Sequence, residues 1–589
     1  MSSRVRSAGR AALLLAACLL AYIPAFRAGF VFDDHALIET NRALQGPLWQ
    51  IWTDRTGPDY WPLTWTAYWI EWRLWGTNPW PYHVVNAALH AAVAALFWRA
   101  LLRLAMPGAW LAAILFALHP VAVESVAWIA ELKNVLSGVF FMAAALAWLR
   151  HDETRSRRAL LAATFLFLLA CLAKVSVLML PVVLAAVVLL RRGRLARRDV
   201  ASLAPLLVVS FVAGLVNLWF QHHNALAQGW APSRGLLERL GGAGWALAFY
   251  VRTAFLPVGL GFVHGPWPVA PGSPSFFLPL ALVALVAVAL VVGRDRWRWA
   301  KPVGAALGYQ ATMLLPVLGF VDMAYFRVGP VSQHLQYLAL LGPMALVAAL
   351  AMALRDHSTL VVPVSAAAVL ALGVATFQRA AEFRDDETLW AAAARDAPTN
   401  AYAHAQLARL AEHRADAARA RDQWARAAEA EVDPARQQVY RAWWLASQGR
   451  RGEAAGEALA ATSGSMNPEV REDAAEVLVR IGRASDAIPV LAQLSGAAPA
   501  NSSYAYALAK ALWHDGRTEE AVNVLQAFRR DQPRQPEMEK ALGIALALSG
   551  RTEEAKAVAA SAAGVGAGDP RAAETLSRWL GTSPGPSRP

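Results

Sequence analysis

Residues 274–293 read PSFFLPLALVALVAVALVVG and run directly into Arg294, Asp295 and Arg296. About 20 apolar residues of helix cross the hydrocarbon core of a bilayer. A basic stop straight after such a run marks the end held on the cytoplasmic side. Working outward, long apolar runs also fill 159–190 and 201–220, and the pattern recurs through roughly the first 380 residues. With 57% hydrophobic residues in 589, the chain is too apolar for a soluble protein of its size. Beyond about 380 the composition turns to Ala, Arg, Glu and Asp and reads as soluble helix. The expected organisation is all-α: a polytopic helical membrane bundle over 1–380, an α-solenoid over 381–581 and a disordered Pro/Gly/Ser-rich tail over 582–589.

The net charge of +12 would suit nucleic acid, but its distribution argues against it. In the apolar half the basic residues gather in short loops: Arg4/Arg6/Arg10, Arg155/Arg157/Arg158, Arg191/Arg192/Arg194/Arg197/Arg198 and Arg294/Arg296/Arg298/Lys301. Short basic loops between spans set topology. Placing all of them on one side gives about eleven spans, at 10–28, 82–103, 109–128, 134–150, 159–173, 175–190, 200–220, 274–293, 303–320, 334–354 and 359–377. The first is read as an uncleaved anchor, because no small-x-small cleavage site follows it. The apolar stretch 243–262 must then stay outside; with Arg252, Pro257 and three glycines it reads as a re-entrant or in-plane element. An odd count puts the soluble half on the side of the first external loop. Cys18 and Cys171 both lie in apolar runs and read as small core residues, so neither a disulfide framework nor a cysteine metal site is expected.

In the soluble half one phrase recurs: Gly449-Arg450-Arg451-Gly452-Glu453-Ala454, Gly482-Arg483-Ala484-Ser485-Asp486-Ala487, Gly516-Arg517-Thr518-Glu519-Glu520-Ala521 and Gly550-Arg551-Thr552-Glu553-Glu554-Ala555. The period of 33 to 34 residues is that of tetratricopeptide repeats, with Gly closing one helix and Glu/Asp and Ala opening the next. Pro499 and Pro533 each follow the phrase's Ala by twelve residues and end the pair. About five repeats are expected, the first a degenerate copy over 399–430, with a capping helix near 570–581. Stacked repeats build a concave surface suited to a protein partner.

Candidate chemistry sits in the apolar half. Phe30-Val31-Phe32-Asp33-Asp34-His35 opens a large external loop, and a carboxylate pair at the mouth of an apolar bundle is either a site or a solvated loop. Trp61, Trp65, Trp69 and Trp72 share one helix face later in that loop, which reads as a helix lying in the outer interface. His119-Pro120 with Glu124, then Lys133-Asn134, Lys174, Tyr250, His264, His334 and Tyr337 all map to the same side. Ionisable groups at membrane depth cost about 2.5–3.5 kcal/mol or more, so each is a functional candidate, although any one alone is as well read as a helix-packing residue. Carboxylates on one side of a cavity and cations on the other suit a base that removes a proton while a phosphate is held.

The stretches Phe30–Ile38, Trp61-Pro62-Leu63-Thr64, Tyr82-His83-Val84-Val85-Asn86 with Leu89-His90, His119–Trp128, Gln333–Leu338 and Phe383–Trp390 resemble the GT-C glycosyltransferases that carry C-terminal tetratricopeptide repeats, the transmembrane O-mannosyltransferase-like proteins and their bacterial relatives. The resemblance runs over nearly the whole chain. It implies transfer of a sugar, mannose in that family, from a polyprenyl-phosphate donor to an acceptor hydroxyl, with inversion. The essential acidic residue of the family's first external loop maps onto Asp33 or Asp34. Lys133, Lys174 and His334 become candidates for the donor phosphate, with Tyr337, His119 and Glu124 as further substrate-binding residues. No cofactor and no divalent metal are expected beyond the lipid-linked sugar. The repeats would present a protein acceptor, and the location implied is the bacterial inner membrane, with site and repeats facing the periplasm. Two positions depart from the family: Asn134 stands where Asp is frequent, and Val175 where Glu is. The competing readings are a membrane-anchored scaffold for an envelope complex, which one or two spans would serve, and a transporter, which would show two matching halves.

Overall fold

The computed structural model describes residues 3–54, 59–225, 235–499, 501–531, 535–563 and 570–580, and every regular element among them is helical. The chain divides into two compact units, one reaching to Pro398 and the other starting at Thr399. The first therefore extends past the boundary near 380 that composition suggested, because the helix over 386–396 bonds back to the first external loop.

The first unit contains α1 (Ser3–Ala21), α2 (Leu48–Thr53), α3 (Pro62–Trp75), α4 (Trp80–Arg103), α5 (Ala109–Ala117), α6 (Val123–Ala127), α7 (Leu132–Thr154), α8 (Arg157–Ala173), α9 (Leu180–Arg192), α10 (Arg197–Phe220), α11 (Leu236–Phe255), α12 (Leu278–Gly293), α13 (Ala300–Leu314), α14 (Leu341–Arg355), α15 (Val361–Ala380) and α16 (Asp386–Asp396). Along α12, Leu278, Leu282, Leu285, Val288, Val291 and Val292 are all exposed. A helix apolar all round with so much of its surface uncovered needs lipid around it. α4 and α7 instead form the interior, burying His83, Asn86, His90, Lys133, Asn134 and Ser137 along with their apolar faces. The first unit is a multi-pass membrane bundle.

Six helices among the described residues are long and apolar enough to cross a bilayer, or seven if one bent pair is a single span. Eleven were expected, and the shortfall has local causes. The third expected span breaks at Leu118–His119, where Pro120 starts a new turn and the chain bends by 50°. The ninth stops at Leu314, just before Pro316. The tenth begins only at Leu341, because Gln333–Gln336 forms a 3-10 turn; α1 is likewise a short apolar helix, and α8, over the fifth, has only 17 residues. The 243–262 stretch lies mainly in α11, an unbroken helix over Leu236–Phe255. Arg239 near its start donates to the carbonyls of Gly319 and Phe320, and Ala254 near its finish accepts from His119.

Three of the four basic clusters meet at one end. Trp110 donates to the Arg10 carbonyl, Arg103 pairs with Glu153, and Arg192 bridges buried Asp152 and Asp199 at 2.5 and 2.8 Å. The acidic turn, Glu124, Glu131 and His334 lie on the segments that connect the opposite ends of the helices.

The second unit stacks five helix pairs, from Ala401–His413 with Ala417–Ala430 to Pro536–Leu548 with Thr552–Ala563, and then Pro570–Trp579. Each repeated Gly takes a positive φ, 76° to 83°, closing its helix in the left-handed conformation. The following Arg sends its N–H back to the carbonyl five residues earlier (Arg517 to Leu512) and pairs with the acidic residue three ahead (Arg517 with Glu520). The phrase's Ala is fully buried in all four copies, Ala454, Ala487, Ala521 and Ala555, where any longer side chain would wedge the pair apart. In the degenerate first copy Ala415 holds the glycine's position at φ 58°. Pro533 and the tail 582–589 lie outside the described residues.

Candidate active site

The acidic turn is tied down from two sides. Asp34 is fully buried; its Oδ2 accepts the Val31 N–H at 3.0 Å and its Oδ1 accepts the Ala130 N–H at 2.6 Å. Burial pushes the Asp34 carboxyl up to about 8 against the pull of those two N–H groups. Phe32 sits at φ 49°, unusual for a residue with a large side chain, and Asp33, next in the chain, keeps partial exposure. His35 lies between Glu39 at 2.5 Å and Asp386 at 2.9 Å, and these partners raise it to about 9.

Ala130 links this turn to a cluster of charges. Its N–H goes to Asp34, and its carbonyl accepts from Lys133 Nζ at 3.0 Å. Lys133 Nζ is 2.6 Å from Glu131 Oε1, and Lys174 Nζ is 3.1 Å from Glu131 Oε2. Asn134 donates to the same Oε2 at 2.6 Å and to the His334 carbonyl at 2.9 Å. The Lys133 ammonium also lies over Trp61 and Trp128, at 5.1 and 5.6 Å from the ring centres. Lys174 reaches in because α8 ends at Ala173 and the chain turns extended for one residue before α9. α3 is fastened over the cluster by Thr64, which donates to the Ala173 carbonyl, and by Tyr68, which donates to the Ile129 carbonyl. Its buried face is therefore Thr64, Tyr68 and Glu71, while the tryptophans stay half-buried.

His334 joins this cluster to a second one. Its Nε2 is 3.9 Å from Glu131 and its Nδ1 is 3.2 Å from Glu124. Glu124 is fully buried and also takes Ser332 Oγ at 2.7 Å, the His334 N–H at 3.0 Å and Arg379 at 3.0 Å.

The structure thus brings together Asp33, Asp34, Lys133, Lys174, His334 and Glu124. It does not bring in Tyr337 or His119. Tyr337 is buried against His90 at 2.8 Å and packs on Phe116. His119 caps the turn after the α5 break, accepting the Val121 N–H, and its Nε2 lies on the Ala254 carbonyl. Both rings are occupied in holding helices together.

A tetratricopeptide-repeat family model matches residues 472–536 and 506–573. Protein O-mannosyl-transferase TMTC2 of Mus musculus is 34% identical over 155 residues, covering 23% of this chain and 18% of its own length. Protein O-mannosyl-transferase F38B6.6 of Caenorhabditis elegans is 23% identical over 419 residues, 68% of this chain and 59% of its own. This chain is similar to protein O-mannosyl-transferases. The resemblance read from the sequence motifs is thereby borne out, although the matched part is under a fifth of the mouse protein's length. Among solved structures, YrrB, a tetratricopeptide protein with an unusual peptide-binding site, aligns over 31% of this chain and 96% of its own at 17% identity, with a TM-score of 0.22 too low to carry an argument.

Four site residues escaped the sequence reading. Glu131, on which both lysines converge, lies between two stretches that were singled out, His119–Trp128 and Lys133-Asn134. A lone carboxylate opening an apolar helix was the available signal. Arg379 and Asp386 sit on the C-terminal side of the expected last span, 359–377; the first follows that apolar run too closely to be told from a basic stop, and the second lies in Phe383–Trp390. Asp59, bonded to Gln221 at 2.5 Å, carries electrostatic coupling to both lysines and had no motif around it. Among the described residues no group of three or more His, Cys, Asp or Glu is arranged to hold a metal.

Proposed function

We propose that the membrane unit is an inverting glycosyltransferase that moves a sugar, mannose by analogy with the relatives' names, from a polyprenyl-phosphate carrier to an acceptor hydroxyl. The observation that carries this reading is the meeting of two buried ammonium groups, Lys133 and Lys174, beside a turn that bears a partly exposed carboxylate. The lysines compensate the charge on the leaving phosphate; the carboxylate takes the acceptor's proton.

Access decides between the two acids. A carboxyl near 8 is well tuned for a base, which favours Asp34. Yet Asp34 has no exposed atom and both its oxygens hold backbone N–H groups, so it cannot touch an acceptor. Asp33 is the base in this scheme. Its carboxylate accepts the hydroxyl proton as the acceptor oxygen bonds to the anomeric carbon. The bond from that carbon to the phosphate oxygen breaks on the opposite face, and the electron pair leaves with the polyprenyl phosphate. A placed base is worth about 10²–10⁴-fold, and the ammonium groups, held in place before the reaction, stabilise the charge that develops. No divalent cation is used.

The carrier's tail stays in apolar surroundings. A cavity of about 880 Å³, lined by Leu20, Leu118, Val369, Gly373 and Phe377 among others, lies between α1, α5 and α15 and fits that requirement. The acceptor in this reading is a Ser or Thr of a secreted or envelope protein, presented by the repeats. The basic end of the bundle faces the cytoplasm, and the location is a bacterial inner membrane with the site on the periplasmic side.

The test is transfer of radiolabelled mannose from mannosyl polyprenyl phosphate to a Ser/Thr-rich peptide by the purified full-length protein in liposomes. Wild type should label the peptide or slowly hydrolyse the donor, and Asp33→Asn should do neither. Absence of both reactions in wild type would favour a non-catalytic scaffold, and full activity in Asp33→Asn would overturn the base assignment.

A further inference from the structure

We infer that Asp386, the first residue of α16, is a positioning residue that holds the Asp33 turn in its working conformation; this rests on the transfer reading above. Both of its carboxylate oxygens are committed to the turn. Oδ1 accepts the Phe32 N–H at 2.8 Å, and Oδ2 pairs with His35 Nε2 at 2.9 Å. The grip flanks Asp33 on either side in sequence. It is reinforced nearby, where the Gly29 N–H donates to the Arg384 carbonyl at 2.9 Å and the Phe32 ring meets Trp390 edge-on at 5.2 Å.

Phe32 is where the grip matters. Its φ of 49° is in the left-handed region, which a residue with a Cβ leaves unless its surroundings hold it there. The Phe32 N–H to Asp386 bond fixes the peptide plane entering that residue. With the bond gone, φ relaxes to negative values and the chain after Phe32, beginning with Asp33, is re-aimed. Asp34 opposes this from the other side through Val31 and Ala130, so the turn would shift rather than unfold. Asp386 lies more than 350 residues from the acids in sequence and holds Phe32 and His35, the residues on either side of them. Its role is to set where Asp33 points.

Two variants test this in the full-length protein. Asp386→Ala removes both contacts. Asp386→Asn keeps a carbonyl oxygen for the Phe32 N–H and drops the charge facing His35. Misplacing a reacting group by about 1 Å costs on the order of 10²-fold in rate. Asp386→Ala should therefore lower kcat about 10²-fold with donor KM within about 2-fold, and Asp386→Asn should recover most of it. Hydrogen exchange gives an arm independent of turnover: peptides spanning 29–35 should exchange faster in Asp386→Ala, while those from α4 and α7 keep wild-type protection. Unchanged exchange in 29–35 would overturn the inference whether or not the protein transfers sugar. So would a KM rise at unchanged kcat, or loss of protection throughout the bundle. A wild type without transfer activity would refute the transfer reading and leave the exchange arm to decide the clamp by itself.

Discussion

Replacing Glu131 with Gln should be among the most damaging single changes in the membrane unit. Each lysine ammonium is within 2.6 to 3.1 Å of a Glu131 oxygen. At an effective dielectric of about 20, a pair at about 3 Å attracts by roughly 5–6 kcal/mol before desolvation is counted. The two ammonium groups flank one carboxylate, so they are at most about 8 Å apart and repel each other by at least about 2 kcal/mol on the same scale. Glu131→Gln removes both attractions and leaves that repulsion. Stranding a charge from a buried pair costs about 3–5 kcal/mol, and here two are stranded. Lys174→Met is different, because it leaves Glu131 and Lys133 as a matched pair and relieves the repulsion; its cost should stay below about 2 kcal/mol. In the double variant, Glu131→Gln combined with Lys174→Met, Lys133 still has the Ala130 carbonyl and the faces of Trp61 and Trp128. The double variant should therefore be more stable than Glu131→Gln alone. The assay is equilibrium unfolding in mixed micelles of wild type, both single variants and the double, read as a double-mutant cycle. The electrostatic account is refuted if Glu131→Gln lies within about 1 kcal/mol of wild type, or if the two changes simply add.

Asp34→Asn should destabilise the protein by about 1–3 kcal/mol, read as a lower melting temperature, since an amide nitrogen would face the N–H of Val31 or Ala130. His35 stands at about 9 through Asp386 and Glu39, with Asp34 also nearby; its pairing stabilises fully below pH 6.5 and is lost as pH rises through about 9. The melting-temperature gap between wild type and His35→Gln should accordingly close between about pH 7 and pH 10. In the repeats, Gly516→Ala should cost about 1–2 kcal/mol purely through the backbone, because φ is 81° and an added Cβ would meet nothing within 4 Å. Ala415→Gly, at φ 58°, should give a change of opposite sign, seen as a higher unfolding temperature.

The fold was legible where one local rule repeats. The Gly-Arg-x-x-acid-Ala phrase states its own structure: a left-handed Gly, a pairing three residues on, and an Ala small enough to vanish between helices. Basic loops likewise announced which ends of the spans belong together, and Arg192 joins two of them through Asp152 and Asp199. Span number was less legible, because hydropathy does not see where a helix stops. The run 109–128 is apolar enough to cross, but His119-Pro120 breaks it, and of the expected span 334–354 only the part from Leu341 on is α-helix. Those interruptions put Glu124 and His334 in contact, so the features that defeat span counting are the ones that build the site.

Asp33 and Asp34 show where sequence stops and geometry begins. Two adjacent residues of one type have the same composition, the same motif and nearly the same neighbours, so no pattern can rank them. In a regular strand they would alternate faces and in a helix they would stand about 100° apart, but here they follow a left-handed Phe32 that no propensity predicts. That single backbone inversion sends Asp34 inward onto two N–H groups and leaves Asp33 part-exposed. The inversion is in turn held by Asp386, far along the chain. The difference in burial between the two acids is thus a tertiary property. It follows that Asp34 should not stand in for Asp33 in an Asp33→Asn variant unless the turn itself moves, because its carboxylate stays buried on the Val31 and Ala130 N–H groups.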